Sequence, residues 1–134
     1  MKKWGLFLGL VIPMFAFSQS ILGKIGSKEY DTGARVKFPS KVFLQLTKDK
    51  TDKSVYHCER IEVWMLIPGS TEWRQIGTET GFIKVENGIY LALPKKAKAC
   101  KAIEFRFVKL RKETPEGEVV EVKVAPYLLD IKHK

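Results

Sequence analysis

The chain has 134 residues and a formal net charge of +9, with two cysteines and two histidines. That length holds one hydrophobic core, not several. The cysteines and histidines are too few and too scattered to close a zinc site, so neither a metal nor a cofactor is expected.

Lys2 and Lys3 precede an apolar run from Trp4 to Phe17, and Ser18, Gln19 and Ser20 follow it. This is the pattern of a cleavable signal peptide over residues 1–18, with small residues Ala16 and Ser18 at the positions a signal peptidase reads. The run falls short of the roughly 20 apolar residues that a spanning helix needs, so no transmembrane segment is expected after cleavage at Gln19. Loss of Lys2 and Lys3 would take the net charge from +9 to about +7. A basic protein in the periplasm or outside the cell meets anionic polysaccharide, lipid head groups or the acidic face of an envelope or surface protein, and nucleic acid is not an expected partner.

Residues 19–134 read as one domain. Ile21 to Tyr30 opens it and closes in a turn at Asp31-Thr32-Gly33. Val36 and Phe38 alternate up to Pro39, and Val42, Leu44 and Leu46 then share one face of a strand. Lys48 to Lys53 carries no apolar residue and is expected to be a solvated hairpin tip. Cys58 to Ile67 reads as the central strand, with Ile61, Val63, Met65 and Ile67 toward the core and Glu62, Trp64 and Leu66 away from it. Pro68-Gly69-Ser70-Thr71 is a turn, from which Trp73 to Ile76 returns. Asn87-Gly88, between the run at 82–85 and Ile89 to Leu93, predicts a tight hairpin because a primed turn needs positive φ at both central residues.

Pro94 to Lys101 is a basic connection into a second long strand, Ala102 to Leu110. A turn at Thr114-Pro115-Glu116-Gly117 leads to alternating Val120, Val122 and Val124, and after Pro126 the last strand is Tyr127 to Ile131. No segment keeps a helical period. Seven to nine short antiparallel strands predict an all-β, immunoglobulin-like sandwich, with a Greek-key barrel as the alternative.

Cys58 and Cys100 are an even pair in an exported chain, and the expectation is a disulfide between them, contributing on the order of 4 kcal/mol in the chain-entropy model. Because the two cysteines open similar strands, they can meet only if those strands start near one another. With Trp73 between them they partly match the bridge-and-indole pin of immunoglobulin domains, although Lys98 stands where that family has a tyrosine. His57 beside Cys58 falls on the opposite face of its strand, which argues against a thiol-imidazole pair. No catalytic residue is assigned. The densest positive stretch is Lys95, Lys96, Lys98 and Lys101, a candidate contact for an anionic partner with Arg106, Lys109, Arg111 and Lys112 as extensions, the alternative being exposed lysines that only keep the protein soluble.

The closing stretch, from Lys101-Ala-Ile-Glu-Phe-Arg-Phe-Val-Lys-Leu through Thr114-Pro-Glu-Gly-Glu to Val124-Ala-Pro-Tyr-Leu-Leu-Asp-Ile-Lys132, resembles the end of the periplasmic C-terminal domains of the gliding-motility protein GldM. The Phe-Ser-Gln end of the leader is similar to export signals of the Bacteroidota. The resemblance covers about the last quarter of the chain and implies a β-sandwich interaction module in the cell envelope. This chain departs from that family in pairing a cleavable leader with one domain. The expected function is therefore an exported, non-catalytic binding or scaffold module that docks a secretion or motility component or an anionic surface. The alternative is a small enzyme, or an enzyme inhibitor, acting on an anionic envelope polymer.

Overall fold

A computed structural model describes residues 19–133 of the chain. The expected leader at 1–18 lies outside the described residues. Among these, the chain forms β1 (Ser20–Ile25), β2 (Lys28–Tyr30), β3 (Ala34–Val36), β4 (Lys41–Thr47), β5 (Val55–Leu66), β6 (Trp73–Lys84), β7 (Ile89–Ala92), β8 (Ala102–Glu113), β9 (Val119–Glu121) and β10 (Tyr127–Ile131). One short 3-10 turn, Lys95–Ala97, interrupts them.

The strands divide into two open sheets. The smaller has the order β2-β1-β4-β7; the larger has the order β3-β10-β8-β5-β6, with β9 also on β8. Neither closes on itself, so the fold is an all-β sandwich and the barrel alternative is set aside. All pairings are antiparallel except that of β3 with β10, which is parallel.

Alternation in β4 sends Val42, Leu44 and Leu46 inward, where they join Leu91 of β7. They meet Tyr56, Ile61 and Val63 of β5, Ile103, Phe105 and Leu110 of β8, and Leu129 of β10 in one continuous core. The stretch expected to be central is so: β5 lies between β6 and β8 from His57 to Leu66. Pro68 to Glu72 closes the β5–β6 hairpin, and Gly117 at φ 90° closes the β8–β9 hairpin.

Three expectations are corrected. The primed turn expected at Asn87-Gly88 does not form: Gly88 is at φ 88° but Asn87 is not in the positive region, and the bonds from Asn87 N to Lys84 O at 3.1 Å and from Gly88 N to Val85 O at 3.3 Å set a turn over residues 84–88 that joins no hairpin. It is a corner: β6 pairs with β5 in the large sheet, whereas β7 pairs with β4 in the small one. The burial of Leu91 and Leu93 against the facing sheet decides where the chain goes next. The Lys48 to Lys53 loop is likewise a crossing between sheets, from β4 to β5, not a hairpin tip.

The third correction is the Cys58–Cys100 disulfide. Both thiols are free and buried. The strands they introduce are antiparallel neighbours, so Cys58 stands opposite Leu110, while the chain just after Cys100 is tied to the far end of β5 by Lys101 N donating to Leu66 O at 3.1 Å. At ~3.4 Å per residue along β5 the two cysteines lie on the order of 25 Å apart. A bridge needs Cα atoms within about 7 Å. The immunoglobulin pin is absent with it, and Trp73 sits at the mouth of the β5–β6 hairpin opposite Leu66.

The two last strands expected from sequence are successive parts of one line along β8. Glu121 faces Arg111 and Tyr127 faces Phe105 in a single unbroken register. Between them Val122 N still donates to Leu110 O at 2.9 Å, and Pro126, having no N–H, is where the ladder opens.

Candidate anionic-partner surface

The basic connection from β7 to β8 caps one end of the sandwich. Its conformation follows from two anchors. Pro94, extended at φ −69° and ψ 143°, is followed by a 3-10 turn in which Ala97 N donates to Pro94 O and Cys100 N to Ala97 O, both at 3.0 Å. Ala97 and Cys100 plug into the core. With those two facing in, Lys95, Lys96, Lys98 and Lys101 all face out, and all four are exposed. None of them makes an ion pair among the described residues.

Topology gathers further lysines at the same end. Lys37 lies on the β3–β4 crossing and Lys41 opens β4; Lys132 follows β10 with its N–H donating to Val36 O at 2.7 Å. The crossings touch, since Leu93 N donates to Ser40 O at 2.9 Å. The tail is pinned at this end: Ile131 N donates to Lys101 O at 2.9 Å, and His133 Nε2 lies 2.7 Å from Cys100 O.

The proposed extensions do not belong to this patch. Arg106 is stacked over the Trp64 ring, 4.2 Å from its centroid, and is bonded to Glu104. Lys109 and Arg111 reach Glu59 at 3.6 and 4.0 Å. These charges lie on the outer face of the large sheet, balanced by Glu104 on β8 itself and by Glu59 on the adjacent β5. There the Arg60 guanidinium, followed by the Trp64 indole, holds Glu62 below the ordinary carboxylate range.

The opposite end mixes Asp49, Asp52, Glu86, Glu116 and Glu118 with Lys48, Lys50 and Lys53, so its charges largely offset one another. A polar clasp closes that end. The Tyr56 hydroxyl donates to Asp52 and accepts from Gln19 Nε2 at 2.9 Å. Glu86 accepts from Tyr56 N and lies 3.5 Å from Lys48 Nζ. Burial alone would raise the Asp52 pKa, but the Tyr56 hydroxyl and the Ser54 amide outweigh it and hold it at about 2. Burial, then the Asp52 carboxylate, push the Tyr56 phenol well above its ordinary value. Every member has a partner, which marks a structural network.

His57 and Cys58 occupy successive positions on β5, with Cys58 buried and its thiol 3.2 Å from Val108 O and 2.9 Å from Arg60 O. No group of three or more metal-binding side chains is found among the described residues. A cleft of about 350 Å³ between β1 and the Lys123 to Tyr127 segment is mainly apolar.

Among the described residues the most exposed aromatic is Tyr90, 63% accessible, on the outer face of the small sheet. Its signal was present in the strict alternation of Ile89-Tyr90-Leu91-Ala92-Leu93, which sends Tyr90 away from the leucines. No family model, curated protein or solved structure matches this chain.

Proposed function

We propose that this protein is an exported, non-catalytic binding module of a bacterial cell envelope, whose lysine-rich end docks an anionic partner. The observation that carries the reading is the display of Lys95, Lys96, Lys98 and Lys101 by the inward anchors Ala97 and Cys100, at an end where Lys37, Lys41 and Lys132 add to the field. A rigid, one-signed cluster raises the local concentration of counter-charged partners and speeds encounter. Export through the leader at 1–18 supports a periplasmic or extracellular location, and the likeness of the closing stretch to GldM domains supports an envelope setting in the Bacteroidota, with a secretion or motility component as one partner of suitable kind.

The test is cosedimentation of the exported protein with an envelope fraction. Raising salt from about 0.1 M to about 1 M shrinks the Debye length from roughly 10 to roughly 3 Å and should release it. The Lys95→Glu, Lys96→Glu, Lys98→Glu, Lys101→Glu variant should fail to bind at low salt while keeping the parent's unfolding midpoint. Retention that ignores both salt and charge reversal overturns the docking surface. Hydrolysis of an envelope polymer by the pure protein overturns the non-catalytic reading.

A further inference from the structure

We propose that the outer face of the small sheet is a second binding site, taking an acidic polysaccharide by stacking a sugar ring on Tyr90 between the amines of Lys24 and Lys41.

Phe43 of β4 and Tyr90 of β7 are directly opposite one another, so both project to the same face, and their ring centroids are 4.8 Å apart at a tilt of 55°. Phe43 is fixed from beneath. Gly88 leaves its backbone bare under the ring, and a Cβ there would overlap it. Lys24 stands opposite Phe43 on β1 with its Nζ 5.8 Å from that centroid, and Lys41 Nζ is 5.1 Å from the Tyr90 centroid. Two amines therefore flank two rings across three strands.

The core does not account for this arrangement. Val42, Leu44 and Leu91 alternate inward, whereas Tyr90 stays 63% exposed on a strand that ends the sheet order, open from the side and bordered by Ala92. A lone surface aromatic needs no explanation; a paired, seated one with two flanking amines does.

The chemistry selects the ligand. The C–H bonds on one face of a pyranose ring are weakly positive and lie favourably on the negative face of an aromatic ring. An acidic sugar carries its anion at the rim, so a ring stacked on Tyr90 sets that charge beside the amines, which already favour the aromatic face. Next along the face come Gln45 and the Ser20–Thr47 hydroxyl pair, polar groups suited to sugar hydroxyls. A protein interface of ordinary size buries about 800 Å² per partner around a desolvated centre, which two rings set among lysines do not supply.

Affinity electrophoresis and titration of the full exported chain with polygalacturonate, dextran sulfate, neutral dextran and phosphatidylglycerol vesicles test the proposal. Binding to at least one acidic polysaccharide and none to neutral dextran is expected. Tyr90→Ala should weaken it at least tenfold with an unchanged unfolding midpoint, and Lys24→Gln with Lys41→Gln should do the same. Acidic-polysaccharide binding that Tyr90→Ala leaves intact overturns the site. So does binding to vesicles alone, or to neither polysaccharide. Lys41 borders both surfaces, so the variants that leave it in place separate them: loss only in the variant reversed at 95, 96, 98 and 101 sinks this site and keeps the lysine-rich end, and loss only in Tyr90→Ala does the opposite.

Discussion

Tyr127 of β10 lies against the bare backbone of Gly23 in β1, its ring filling the place where a Cβ would stand, and its hydroxyl donates to Tyr30 O at 2.6 Å. One residue of the large sheet thus sets the spacing to the small sheet and to the chain leaving β2. Tyr127 is fully buried and cannot swing aside. Gly23→Ala should therefore destabilise the fold by about 1–3 kcal/mol, the usual range for overpacking a well-filled site. Tyr127→Phe removes the nearest clashing atom, so the double variant should lose less than the two single losses added together. Urea unfolding of the four proteins measures this, and strict additivity would refute the contact.

The Asp52–Tyr56 clasp makes acid sensitivity specific. The folded protein holds the Asp52 carboxyl at about 2, below its ordinary 3.8, so between those values the unfolded chain binds the extra proton. The stabilisation is complete above about pH 4 and is lost as pH falls through about 2. Unfolding midpoints in urea from about pH 5 to about pH 2 should drop, and Asp52→Asn should flatten that part of the profile. An identical slope in the variant would assign the acid response elsewhere.

Much of the sandwich was legible because it rests on local alternation. Val42, Leu44 and Leu46, or Ile61 and Val63, announce their inward face at period two, and Pro68-Gly69 and Pro115-Glu116-Gly117 announce turns that close real hairpins. What was not legible is the destination of a chain leaving a turn. Asn87-Gly88 reads as a hairpin turn but serves as a corner with only Gly88 at positive φ, since sheet membership is decided by contacts distant in sequence. The cysteines failed for the same reason: their pairing depends on strand direction, and β5 and β8 run opposite ways. The exposure of the four lysines followed from composition, whereas the Tyr90 platform needed the knowledge that β4 and β7 are neighbours.

Two free thiols have a direct signature. Alkylation of the denatured, unreduced protein should add two labels, and alkylation of the native protein at neutral pH should add none. Burial keeps both thiols protonated, pushing Cys100 up to about 11 and raising Cys58 as well. Reductant should leave the thermal midpoint unchanged, where loss of a real bridge in a small exported domain would remove about 2–5 kcal/mol. Unlabelled cysteines in the denatured, unreduced protein would restore the disulfide.

Lys109 has a φ of 57°, in the left-handed region that L-residues adopt at a cost of roughly 1–2 kcal/mol. It sits where β5 and β8 both change face: Cys58 and Ile61 point inward three residues apart, as do Phe107 and Leu110. Its amine lies 3.6 Å from Glu59, but a pair exposed on both sides contributes only about 0–1 kcal/mol. Backbone strain and ion pairing therefore oppose each other, and strain is the larger. Lys109→Gly should relieve the φ while losing the pair and about 0.5–1 kcal/mol to the freer unfolded chain, leaving stability unchanged or slightly raised. Lys109→Ala loses the pair and keeps the strain, so the glycine variant should be the more stable of the two by about 1 kcal/mol. Chemical denaturation of both decides it. An alanine variant equal to or better than glycine would mean that Lys109 is not held in the left-handed region.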